Sequence, residues 1–155
     1  MKLKSRFLFS VLSVVLVDAS MAPIADAVIT LPITKCHIEI DNPHFSNNIY
    51  RTKGIRAVKV NARSICNKQM RNLVLSVEIY KVRFLRDFLV ASEQVSTRYV
   101  VQNRGFKNEK TYVECLSHQS SKYYGVAFAE ADIEGRHLKT LHVTSEKTNK
   151  INCGN

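Results

Sequence analysis

Apolar residues in this chain recur at every second position, not at every third or fourth, and that spacing restricts the fold to sheets. In 36–41, Cys36, Ile38 and Ile40 fall on one face while His37, Glu39 and Asp41 fall on the other, as in a half-buried strand. The same alternation returns in Val58, Val60, Ala62, Ser64 and Cys66, and again in Leu73, Leu75, Val77 and Ile79. Short runs rich in Val, Tyr, Phe, Thr and Ile follow at 88–91, 97–102, 111–116, 123–131 and 138–144, a composition that suits strands. Turn signals such as Asp41-Asn42-Pro43-His44, Gln102-Asn103-Arg104-Gly105 and Glu134-Gly135 separate them, with a loop expected to about Gly54. Seven or eight strands at roughly ten-residue spacing predict an all-β fold, an antiparallel β-sandwich of the immunoglobulin-like kind. The chain has no tryptophan, and Tyr112 stands three residues before Cys115. A true immunoglobulin domain has a core Trp and a corner tyrosine two residues before its cysteine, so the architecture is expected without the family.

The first twenty-seven residues obey a different rule. Lys2, Lys4 and Arg6 precede an apolar run from Phe7 to Val17, broken only by Ser10 and Ser13, and the segment closes on Ala25-Asp26-Ala27. This is the order of a secretory signal peptide, with cleavage expected after Ala27. The run is about half the ~20 residues needed to span a bilayer, so no stable membrane anchor is expected. Residues 28–155 then form one exported domain of comfortable size. Cys36, Cys66, Cys115 and Cys153 all lie in it, and an even number in an exported chain reads as two disulfides. Cys36–Cys66 with Cys115–Cys153 is favoured because each bridge closes a local unit; such loops contribute about 3–4 kcal/mol each. The alternative, Cys66–Cys115 with Cys36–Cys153, would imitate an inter-sheet immunoglobulin staple and stays open at this point. No Cys-x-x-Cys pair occurs, so zinc is not indicated and no cofactor is expected.

Residues 28–155 hold twenty basic and eleven acidic side chains, a net charge of +9. Such a surplus suits a polyanionic partner as well as simple solubility. The basic residues are scattered, but alternate positions of a strand share a face. Arg98, Arg104, Lys107 and Lys110 lie among Tyr99, Tyr112 and Tyr123. Tyrosine with cations serves both protein hot spots and stacking. These four cations, Tyr123 and His44 are the candidate binding residues.

Three residue sets, Cys36-x4-Asp41-Asn42-Pro43-His44-x-Ser46, Asn61-Ala62-Arg63-Ser64-Ile65-Cys66, and Cys115 followed by Tyr123-Tyr124-Gly125, resemble small exported four-cysteine β-proteins of Gram-positive and actinobacterial genomes. The resemblance implies a bacterial exported β-domain and brings no catalytic residues with it.

Three places carry residue types suited to chemistry. Asp41, His44 and Ser46 supply the residue types of a hydrolytic triad, but triads join distant loops, and no Gly-x-Ser-x-Gly elbow surrounds Ser46. An Asx-Pro turn explains the stretch better. His37, Asp41 and His44, or His137 and His142, lack a diagnostic metal spacing. His44, His118, His137 and His142 could furnish the acid and base of a small nuclease, though no local motif selects a pair. The reading is therefore a secreted binding domain and not an enzyme, monomeric, directed at a polyanion or a protein of a cell envelope or host surface. The alternatives are a nuclease-like secreted hydrolase and a cationic toxin or antimicrobial. The last lacks the basic amphipathic helix usual for such work.

Overall fold

A computed structural model describes residues 34–148 and 150–155; the expected leader and its cleavage site lie outside the described residues. Strands β1 (Cys36–Ile40) and β2 (His44–Phe45), helix α1 (Asn47–Lys53), and strands β3 (Ala57–Lys59) and β4 (Ala62–Cys66) come first. Two long strands follow, β5 (Met70–Lys81) and β6 (Phe88–Val100), then β7 (Gly105–Asn108), β8 (Tyr112–Glu114) and β9 (Ser117–Ser121). The chain continues with β10 (Tyr123–Ile133), β11 (Arg136–Lys139), β12 (Val143–Thr144) and β13 (Ile151–Gly154). The protein is all-β and its sheets are antiparallel. The main sheet runs β11-β10-β5-β6, with β12 also on β10; smaller sheets are β1-β4-β7, β2-β3-β8 and β13-β9.

The sequence alternation explains the core. Leu73, Leu75, Val77 and Ile79 of β5 and Tyr123, Ala127, Ala129 and Ala131 of β10 pack in one cluster with Ile38, Val58, Val60 and Ala62. The small residues of β10 let the layers close. A Cβ on Gly125 would stand 2.7 Å from Val60 Cγ1 and 3.1 Å from Ile40 Cδ1, closer than packed atoms normally sit. Deep in this core, the fully buried Asn108 donates to the carbonyls of Glu93 (2.9 Å) and Leu75 (3.3 Å) and accepts from Lys110 N. One side chain thus ties the β7–β8 connection to both long strands.

Both disulfides are the favoured pair. Cys36 and Cys66 are register partners on β1 and β4, with Cα atoms 4.1 Å apart. Cys115 reaches Cys153 of β13, Cα to Cα 4.7 Å. The inter-sheet alternative is excluded.

Several expectations change: among the described residues thirteen strands form in place of seven or eight, and the run expected at 138–144 divides into β11 and β12. The loop expected up to Gly54 contains α1, whose first turn is capped by the Ser46 hydroxyl accepting from Ile49 N. It ends at Gly54, in the left-handed conformation at φ 69°, where glycine carries no steric penalty. The separate strands expected at 88–91 and 97–102 are one strand, β6. Its middle is polar, Ser92-Glu93-Gln94, because β6 is the edge of the main sheet and is mostly exposed.

Candidate functional site

The binding residues expected from sequence do not form one site. Tyr123 is fully buried, and its hydroxyl donates to Cys153 O at 2.6 Å; burial pushes its pKa up. It belongs to the core, where alternation along β10 aims it inward, and cannot meet a partner. His44 sits on β2 with Nδ1 3.1 Å from Asn42 O. Lys107, on β7, pairs with Glu109 at 3.3 Å. Arg98 and Arg104 are exposed at the far end of β6, and Lys110 in the β7–β8 connection. The triad residue types are likewise dispersed: Asp41 accepts from Asn61 Nδ2, and Ser46 is the buried cap of α1. Nor do the histidines converge. His37 meets Glu39, His118 meets Arg56, His137 meets Asp132, and His142 stacks on Phe128. Among the described residues no three His, Cys, Asp or Glu side chains are grouped to hold a metal ion.

A different cluster does form, at the end of the main sheet where β5 turns into β6. Six residues, Val82-Arg83-Phe84-Leu85-Arg86-Asp87, make this turn. Its crest is apolar: Phe84 is 101 % and Leu85 92 % exposed. Behind the crest, the Arg83 and Arg86 guanidinium groups lie over the Phe88 ring, 4.7 and 5.4 Å from its centroid. These contacts hold both cations back toward the root of the turn.

Further cations come from neighbouring elements. Val82 N donates to Lys122 O at 2.9 Å, which places the β9–β10 connection beside the turn. Thr148 N donates to Tyr123 O at 2.8 Å, fixing residues 145–148 alongside. Arg83, Lys122 and Lys150 line one shallow depression with Lys81. Lys147 lies 5.6 Å from the Tyr124 ring centroid and 3.9 Å from Asp87 Oδ2. Arg83, Arg86, Lys122, Lys147 and Lys150 are all exposed. Lys81 is not part of that surface; it is buried, donates to Asn155 O at 2.7 Å, and its pKa is lowered by burial and then by Arg83.

A rigid floor supports the cluster. Tyr80 and Tyr124 stack at 5.2 Å with rings 7° apart. The Tyr80 hydroxyl donates to Glu78 at 2.8 Å, a bond that, with burial, pushes its pKa up to about 12. Asp87 accepts from Arg83 N at 3.2 Å, which closes the turn on itself.

At the opposite end of the main sheet three cations have close anionic partners. Lys139 bonds Glu130 at 2.8 Å, Lys68 bonds Glu134 at 2.7 Å, and His137 Nδ1 lies 2.9 Å from Asp132 Oδ1. Lys139, Asn72 and Lys68 respectively hold the Glu130, Asp132 and Glu134 carboxyl groups below their usual pKa values. The open cleft here, about 840 Å³, is lined by both signs of charge.

Sequence reasoning missed Phe84 and Leu85 because they fall between the expected strands, where no role was assigned to them. The signal was nevertheless present: an apolar pair bracketed by Arg83 and Arg86 stands where a turn should be polar. Compared with known proteins, the chain matches no family, and no curated protein is detectably similar to it.

Proposed function

We propose that this protein is an exported binding domain, built as an immunoglobulin-like sandwich, whose basic end engages an anionic partner. The observation that carries the reading is the gathering of five exposed cations around one turn, with Asp87 as the acid set among them. Like charges brought together on a rigid support raise the local potential and draw in anions. Export is supported by the two disulfides, which persist in oxidising compartments. Among the described residues no helix is long and apolar enough to cross a membrane.

The test is affinity for heparin across a salt series. Counterion release makes log K fall linearly with log salt. The expected result is such a slope, made shallower and weaker by Arg83→Glu with Arg86→Glu. Affinity unchanged by that double reversal would defeat the proposal.

A further inference from the structure

We infer that the anionic partner is a lipid bilayer, and that the β5–β6 turn enters its interface with Phe84 and Leu85 foremost. This inference rests on the anion-binding reading of the basic end and names its target.

The order of chemistry along the turn carries the argument. Phe84 and Leu85 form the crest and are almost completely exposed. Contiguous exposed apolar surface on an exported protein marks a contact surface. The next layer back is cationic, because Arg83 and Arg86 are held over Phe88, the first residue of β6. Lys122, Lys147 and Lys150 surround the same base. Apolar side chains leading and cations following match a membrane surface, where acyl chains lie beneath phosphate headgroups. A soluble polyanion would meet the cations and leave the crest in water. Two long paired strands hold the turn, so the crest is presented without a large ordering cost.

The chain has no tryptophan, so Leu85→Trp creates a single reporter at the crest. The oxidised protein, secreted from an expression host, is mixed with phosphatidylcholine vesicles with or without phosphatidylglycerol, and separately with heparin. The expected result is a blue shift of Trp emission with phosphatidylglycerol vesicles but none with heparin. In sedimentation, Phe84→Ser with Leu85→Ser lowers vesicle affinity at least tenfold and leaves heparin affinity unchanged. Because both residues are exposed, these variants leave the core intact. Heparin binding without vesicle binding, or vesicle binding indifferent to the serine pair, overturns lipid docking while the anion-binding reading stands. Loss of both ligands in the parent protein overturns both. Equal binding to vesicles lacking phosphatidylglycerol also overturns the inference, since the cations would then contribute nothing.

Discussion

The two ends of the β5–β6 ribbon are built from similar residues and present opposite surfaces. At one end Glu130, Asp132 and Glu134 pair with Lys139, His137 and Lys68, while Arg71 and Arg98 make no ion pair among the described residues. At the other, Arg83, Arg86, Lys122, Lys147 and Lys150 crowd around a turn whose nearest carboxylate is Asp87. The ends are about 30 Å apart, since ten residues of β6 separate Phe88 from Arg98 and each rises about 3.3 Å. That distance is several times the ~8 Å Debye length at physiological salt, so each end acts electrostatically on its own. Net charge is therefore a poor guide to this protein. What distinguishes the ends is that three carboxylates pair with cations at one, while Asp87 is the carboxylate paired at the other.

The strongest way to break the contrast is to detach the scaffold of the basic end. The Cys115–Cys153 bridge spans 38 residues and anchors β13, which follows directly on Lys150. Cys115→Ser with Cys153→Ser is expected to cost about 2–5 kcal/mol in chemical denaturation. Charge reversal comes next. Arg83→Glu with Arg86→Glu changes four charges, each worth about 1 kcal/mol at an anionic lipid surface. Affinity for phosphatidylglycerol vesicles should thus fall a hundredfold or more. Lys68→Glu with Lys139→Glu, at the opposite end, should leave that affinity unchanged in the same sedimentation assay.

A third test addresses the common support. Asn108→Ala strips hydrogen bonds from the buried Leu75 carbonyl and the part-buried Glu93 carbonyl and should cost about 1–3 kcal/mol in denaturant titration, without altering the distribution of surface charge. The smallest effect is in pH. The three carboxyl groups at the opposite end have depressed pKa values in the fold. Their contribution is fully present above their unfolded values, near 4 to 4.5, and is lost as pH falls through the folded values. The melting temperature should accordingly decline below about pH 4.5, and less steeply in a Glu130→Gln, Asp132→Asn, Glu134→Gln variant.

Much of the fold was legible because a single period decides it. Ile38 and Ile40, the odd positions of 73–79, and the small face of β10 all turn inward as alternation requires. Both cysteine pairs followed from loop closure. Alternation became unreadable where one face does not dominate burial. Strand β6 is an exposed edge, and β9, Ser117-His118-Gln119-Ser120-Ser121, has no apolar residue at all. Its place is set by backbone pairing to β13. Helix α1 was obscured by Asn47 and Asn48, poor helix formers, although Ser46 and Gly54 mark both its ends. Within the candidate site, Tyr123 was misread because interleaved tyrosines were credited to a surface before their facing was applied. Lys122, Lys147 and Lys150 are brought to the turn by Val82–Lys122 and Thr148–Tyr123 main-chain bonds, contacts that no local pattern announces.

The turn bearing Phe84 and Leu85 has a second role, in the time course of folding. It closes the longest hairpin in the described chain, joining strands separated by only six residues. By contrast, Lys81 must find Tyr123, and Cys115 must find Cys153, across loops of roughly forty residues, whose closure costs more chain entropy. The hairpin is thus expected to form early and to template the rest of the main sheet. Lengthening the turn should slow refolding even where the native state is little changed, so the same six residues that carry the proposed contact would also govern how quickly the surface bearing it is assembled.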